Sequence, residues 1–165
     1  MKKPRTSTMF GVGLIAFATL LLEVDLTRIF AVTLWYYFGF VAISLALLGT
    51  GAAGVLCYLN PQRWTGERHL HYMGVFSIAL AILTPLVVWM HLTSDFSGYT
   101  LHHGWFFAVL AFQMVWFFVL FFCAGMVISI ALFRYRDRIG RLYFFDLVGA
   151  SLGSLAVIVL LYQVS

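Results

Sequence analysis

The sequence predicts an all-α integral membrane bundle of about five transmembrane helices with a cytoplasmic N-terminus. Three observations carry that prediction. The first is composition: of 165 residues, 63% are hydrophobic and only 10% charged, where a soluble domain carries ~25% charged residues. That leaves too little polar surface to cover a water-soluble globule. The second is that the apolar residues fall into five runs, each long enough to cross ~30 Å of hydrocarbon. The third is that the basic residues gather in alternate connections between those runs, the pattern of membrane topology.

The predicted spans cover residues 9–30, 37–59, 72–92, 105–133 and 142–162. Before the first, Lys2, Lys3 and Arg5 form a basic segment, and Ala16, Phe17 and Ala18 imitate a cleavage box. The apolar run continues past that box to Leu22, so an uncleaved span is expected. Pro85 lies midway along the third run, where it removes a backbone donor and favours a kink. The fourth run is long enough to require tilt or an interfacial start. The connections are short, so residues 1–165 read as a single membrane domain without a linker or soluble module.

Arg63 and Arg68 lie between the second and third runs. Arg134, Arg136, Arg138 and Arg141 lie between the fourth and fifth. The other two connections contain neither Lys nor Arg. This places the N-terminus in the cytoplasm and the C-terminus outside. Trp35, Tyr36 and Tyr37 then form an outer aromatic belt, with Trp64 at the inner surface. A formal charge of +4 invites a nucleic-acid reading, but the basic residues sit in topogenic clusters rather than on a soluble face. No nucleic-acid partner is expected.

The second run contains Gly49, Thr50, Gly51 and Gly54 in a GxGxxG arrangement. That motif signals a dinucleotide only between a strand and a helix. Within a span, Gly49, Thr50 and Gly54 instead make a small-residue face that lets helices approach closely. Gly149 and Gly153 make a second such face in the fifth run, and the two faces are expected to meet.

Three ionisable residues, Glu23, Asp25 and Arg28, interrupt the first run, where charge is costly and seldom persists without a partner or a function. Asp25 and Arg28 are three apart and share a flank, so an internal ion pair is expected. Glu23 points ~200° away from Asp25 at 100° per residue. It needs a partner on another helix or a protonated carboxyl, and serves either as a polar tie or as a proton, ion or cationic-substrate site. Asp146 is expected in the first turn of the fifth helix, satisfying N-terminal donors and pairing with the basic loop.

Cys57 and Cys123 lie in apolar runs without a CxxC neighbour and read as small packing residues. His69 and His71 are expected in a polar cytoplasmic loop; His91, His102 and His103 fall near the outer surface. Only His91 is near a position from which it could ligate a pigment or haem. The sequence supplies no nucleophile–base motif, so no catalytic, metal or cofactor residue is assigned. The aromatic run from Trp105 to Phe122 reads as lipid-facing and packing surface.

Two blocks carry a family resemblance. One is LEVDLTRIF (22–30) continuing through AISLALLGTG (42–51); the other is RIGRLYFFDLVGASLG (138–153). Together they resemble the N-terminal multi-pass membrane region of bacterial spermidine-synthase-like proteins. In that family a membrane domain precedes an aminopropyltransferase-type domain of Rossmann-like fold. The resemblance implies residence in a bacterial inner membrane and marks Glu23, Arg28, Tyr143 and Asp146 as motif positions. It covers both ends of the chain and is weaker from Asn60 to Phe133. No stretch alternates strands with helices, so no family catalytic residue carries over. The expectation is either a portion of a longer protein or a stand-alone relative of the membrane domain.

Three functions follow as expectations. The first is a non-catalytic membrane domain that anchors an enzyme or assembles with other membrane subunits or copies of itself, with lipid bilayer around it. The second is a transport element for a cation or polyamine. The third is an accessory subunit of a redox or photosynthetic complex.

Overall fold

A computed structural model of the chain describes residues 6–34, 36–94 and 104–164. Lys2, Lys3, Arg5, Trp35, His102 and His103, to which the sequence assigns topology, belt and surface roles, lie outside the described residues. Among the described residues there are six helices and no strand. They are α1 (Thr6–Thr33), α2 (Gly39–Leu59), a short α3 (Pro61–Thr65), α4 (His69–Thr93), α5 (Gly104–Arg134) and α6 (Ile139–Val164). Two 3-10 turns, Tyr36–Phe38 and Arg136–Arg138, lead into α2 and α6. All but α3 are long and apolar enough to cross a membrane. Four of the five spanning helices extend slightly beyond their predicted runs, because hydropathy marks the hydrocarbon core and not the helical turns that emerge from it; α2 instead begins two residues inside its run, after the Tyr36–Phe38 turn.

The bundle is organised around two parallel helix pairs. α1 lies beside α6, with Gly13 against Gly149 and Phe17 against Gly153. α2 lies beside α5, with Gly49 against Phe121 and Ala53 against Gly125. α4 runs antiparallel to α5, so that His69 meets Tyr135 at one end and His91 meets Gln113 at the other. α1 also contacts α2 and α5, which joins the two pairs. α5 is the most enclosed span and α6 a peripheral one. Arg63, Arg68, Arg134, Arg136, Arg138 and Arg141 therefore gather at one end of the bundle, called here the basic end.

This arrangement corrects one expectation. The two small-residue faces do not meet: each pairs with a different helix. A Cβ on Gly49 would lie 2.8 Å from the Phe121 Cβ and 2.9 Å from the Phe118 carbonyl oxygen. Gly125, on α5, fits equally closely against Thr50. Gly54 is looser, with only the Ser129 hydroxyl at 3.8 Å. On the other pair, Gly149 lies directly on the backbone of Gly13. A glycine stripe announces a close approach but not the helix that makes it.

The core divides by depth. Leu26, Phe30, Val87, Phe117 and Leu120 fill the half away from the basic end. Val12, Cys57, Met126, Ile130 and Leu142 fill the basic half. Both cysteines are free and buried, Cys57 with its Sγ 3.9 Å from the Met126 Sδ. The aromatic run of α5 splits by face: Phe106, Phe117 and Phe121 are buried, while Trp105, Phe107 and Phe112 are exposed. Pro85 lies inside α4, which continues through it.

Candidate functional site: polar groups within the bundle

Tyr36 and Tyr37 stand exposed at the end of the bundle opposite the basic one, their rings 5.8 Å apart. At the basic end the Arg63 guanidinium lies 5.2 Å over the Trp64 indole, and Trp64 packs against Tyr72. Both clusters suit an amphipathic membrane boundary.

His69 departs from its expected place in a polar loop. It opens α4, is 7% exposed, and is held at Nδ1 by the Gly66 carbonyl at 2.8 Å and at Nε2 by the Tyr135 hydroxyl at 3.1 Å. His71, two residues on, is exposed.

The most connected polar group lies at the opposite end. His91 is 1% exposed and Gln113 2%. His91 Nδ1 is 2.7 Å from Gln113 Oε1, and His91 Nε2 is 2.9 Å from Thr33 Oγ1. Gln113 Nε2 donates to Ser94 Oγ at 2.7 Å. The chain ends on two backbone carbonyls: Thr33 Oγ1 lies 2.7 Å from the Ile29 oxygen, and Ser94 Oγ 2.8 Å from the Met90 oxygen. It ties α1, α4 and α5 together. Phe30 and Phe117 flank the imidazole, with ring centroids at 5.1 Å and 5.6 Å. Ser94 and Gln113 also line a cleft of about 390 Å³ between α4 and α5, walled by Met90, Trp105 and Phe112. Sequence reading singled out His91 but missed Gln113. An amide alone in an apolar run of this length is itself costly unless bonded, and that was the available signal.

Glu23 occupies a revealing position on α1. Met9, Ala16, Glu23 and Phe30 recur every seven residues, so they share a face that drifts only ~20° per repeat. Met9, Ala16 and Phe30 are buried, and Glu23 is half-buried. On the helical wheel it falls ~40° from the Leu26–Phe30 core stripe, on the side toward the Gly13–Phe17 stripe that α6 covers. Counting back from the Phe30–Phe117 contact at 5.0 Å puts it level with Ala124. Among the described residues, Glu23 has no hydrogen-bond or ion-pair partner.

Asp25 and Arg28 share a flank as expected, and Arg28 is the charge acting on Asp25. They act through space, without closing a salt bridge, and the Arg28 side chain is exposed.

Asp146 requires a correction. α6 begins at Ile139 rather than near Leu142, so Asp146 lies two turns inside the helix and not in its first turn. It cannot cap the N-terminal donors. It shares a face with Leu142, Gly149 and Gly153, which α6 turns toward α1, and it is half-buried. It has no hydrogen-bond or ion-pair partner among the described residues. Tyr143 points away from that face and is exposed. Among the described residues, no three His, Cys, Asp or Glu side chains converge as metal ligands.

No family model, curated protein or solved structure matches the chain. Among the described residues the chain is helical throughout its long elements, and five helices long and apolar enough to cross a membrane are the make-up of a multi-pass membrane protein.

Proposed function

We propose that the chain is a non-catalytic membrane domain that assembles with a partner, and that the partner docks along the α1–α6 flank as a transmembrane helix. One observation carries this reading: Glu23 and Asp146 lie half-buried on that flank with no partner of their own among the described residues. A polar group in hydrocarbon without a hydrogen bond costs several kcal/mol. A neighbouring helix that presents a hydroxyl, amide or basic side chain to Glu23 would relieve that cost and confer specificity. α6 adds apolar surface for such a neighbour near the level of Glu23, with Leu155 and Ile158 exposed. The resemblance to the membrane region of spermidine-synthase-like proteins supports the same class of role, as an anchor in a bacterial inner membrane.

The test places photo-crosslinking residues at Leu155 and Ile158 on α6, and at Ile82 and Leu86 on α4, in native membranes. A discrete adduct is expected from α6 alone, and Glu23→Leu should abolish it. In detergent, the isolated Glu23→Leu chain should be at least as stable as the parent. Equal crosslinking from both helices would defeat the proposal, as would destabilisation of the isolated variant, which would reveal an internal partner for Glu23.

A further inference from the structure

The Thr33–His91–Gln113–Ser94 chain contains five links between heavy atoms 2.7 to 2.9 Å apart. They run from the Ile29 carbonyl through Thr33, His91, Gln113 and Ser94 to the Met90 carbonyl. Each link needs one hydrogen. Thr33 and Ser94 supply one each, because a hydroxyl carries a single proton. Gln113 presents its oxygen to one neighbour and its amide nitrogen to the other, so it supplies one hydrogen whichever way the amide is turned. A neutral imidazole supplies one more. That makes four hydrogens for five links, and no choice of tautomer, rotor or amide flip adds a fifth. An imidazolium donates from both nitrogens and completes the set.

We infer that this chain is a proton-binding site, with His91 carrying the bound proton and Thr33 and Gln113 accepting from its two nitrogens. Protonation fills every link, and so latches the end of α1 to α4 and α5. Deprotonation leaves two acceptors facing each other at one link and loosens the latch. The flanking Phe30 and Phe117 rings suit a cation. The cleft that reaches Ser94 and Gln113 gives the proton a route from the surface opposite the basic end.

The other ionisable groups nearby do not duplicate this site. On α1 the nearest are Arg28 and Asp25, one to two turns from Thr33 toward the basic end. α5 carries no Asp, Glu, Lys, Arg or His between Gly104 and Arg134, and its Cys123 lies well below Gln113. On α4 there is no other such group between Tyr72 and Thr93. Tyr36 and Tyr37 lie in the turn after α1, and Asp95, His102 and His103 lie outside the described residues.

The test is solid-state NMR of the whole chain in bilayers with 15N-labelled histidine, His91 being assigned by loss of its signals in His91→Gln. An imidazolium pattern is expected for His91 at acidic pH, converting to a neutral ring as pH rises. Thr33→Val removes one hydroxyl and two links, leaving three links that a neutral imidazole fills. At the pH where the parent is half-protonated, the imidazolium fraction in that variant should fall about tenfold, the loss of one charge-assisted hydrogen bond. Gln113→Leu should act in the same direction. A His91 that stays neutral at every pH at which the chain remains folded would overturn the inference. So would an imidazolium fraction that neither variant changes.

Discussion

Substituting alanine for Gly149 should separate α1 from α6. The added Cβ would overlap the carbonyl oxygen of Gly13, and would lie 2.7 Å from its carbonyl carbon and 2.9 Å from its Cα. These are backbone atoms within a helix, so no side-chain rotation can relieve the overlap. Gly153 is the milder case. There a Cβ would lie 2.5 Å from the Phe17 oxygen, whereas ordinary C···O contacts lie at ~3.3 Å or more, so the helices must part by roughly 0.8 Å. A gap of that size forfeits a quarter to a half of each dispersion contact along the seam. Overpacking of this kind costs about 1–3 kcal/mol, with Gly149→Ala at or above the upper end and Gly153→Ala below it. The usual helix-propensity gain of alanine over glycine does not offset the cost. In lipid the separated helices remain helical, because their backbone groups have no other partner.

The control is Gly11→Ala on the same helix as Gly13, where a Cβ meets nothing within 4 Å. The assay is reversible unfolding in mixed micelles, supported by disulfide cross-linking of cysteine pairs placed across the α1–α6 seam. The expected order of destabilisation is Gly149→Ala, then Gly153→Ala, then Gly11→Ala near zero. If Gly149→Ala is as stable as Gly11→Ala within about 0.5 kcal/mol, then α6 does not pack on α1 in this register and the parallel pair is wrong.

On the second pair, Gly49→Ala and Gly125→Ala should each cost about 1–3 kcal/mol by the same physics, whereas Gly54→Ala should be near neutral in micelle unfolding. Because the pairs are separate, Gly125→Ala and Gly149→Ala should add within about 0.5 kcal/mol, and strong coupling would mean that the two seams share a contact. At the basic end, Tyr135→Phe leaves His69 Nε2 without its hydroxyl partner. It should cost about 0.6–1.7 kcal/mol, the range of interhelical hydrogen bonds in membranes, and a neutral result would show that water replaces the hydroxyl.

The spans were legible in the sequence because membrane insertion depends on summed apolarity, which composition reports directly. The alternation of Arg-bearing and Arg-free connections was legible for the same reason. The pairing of the helices was not. Gly49 and Gly149 each declare a close approach, but backbone proximity in lipid depends on shape matched over a whole seam. The complementary surface for Gly149 is the bare backbone at Gly13, more than 130 residues earlier. Asp146 was misplaced because an apolar run starts later than its helix: Gly140 and Arg141 interrupt the hydropathy, yet α6 already turns through them from Ile139.

Glu23 and Gln113 show why polarity within a span does not by itself mark function. Gln113 is almost fully enclosed, yet His91 and Ser94 satisfy both ends of its amide. Its cost is met inside the chain, and it drew no attention in the sequence because it carries no charge. Glu23 is less enclosed, but it interrupts a stripe that is buried at Met9, Ala16 and Phe30, and α5 offers only Cys123, Ala124 and Gly125 at its level. The informative property is therefore the balance between burial and bonding at each group. Where that balance closes without the proton, as it would around His91 in Thr33→Val, the group is structural. Where a site would close with an added proton, as proposed at His91, or with an added helix, as proposed at Glu23, that component is the one to test for.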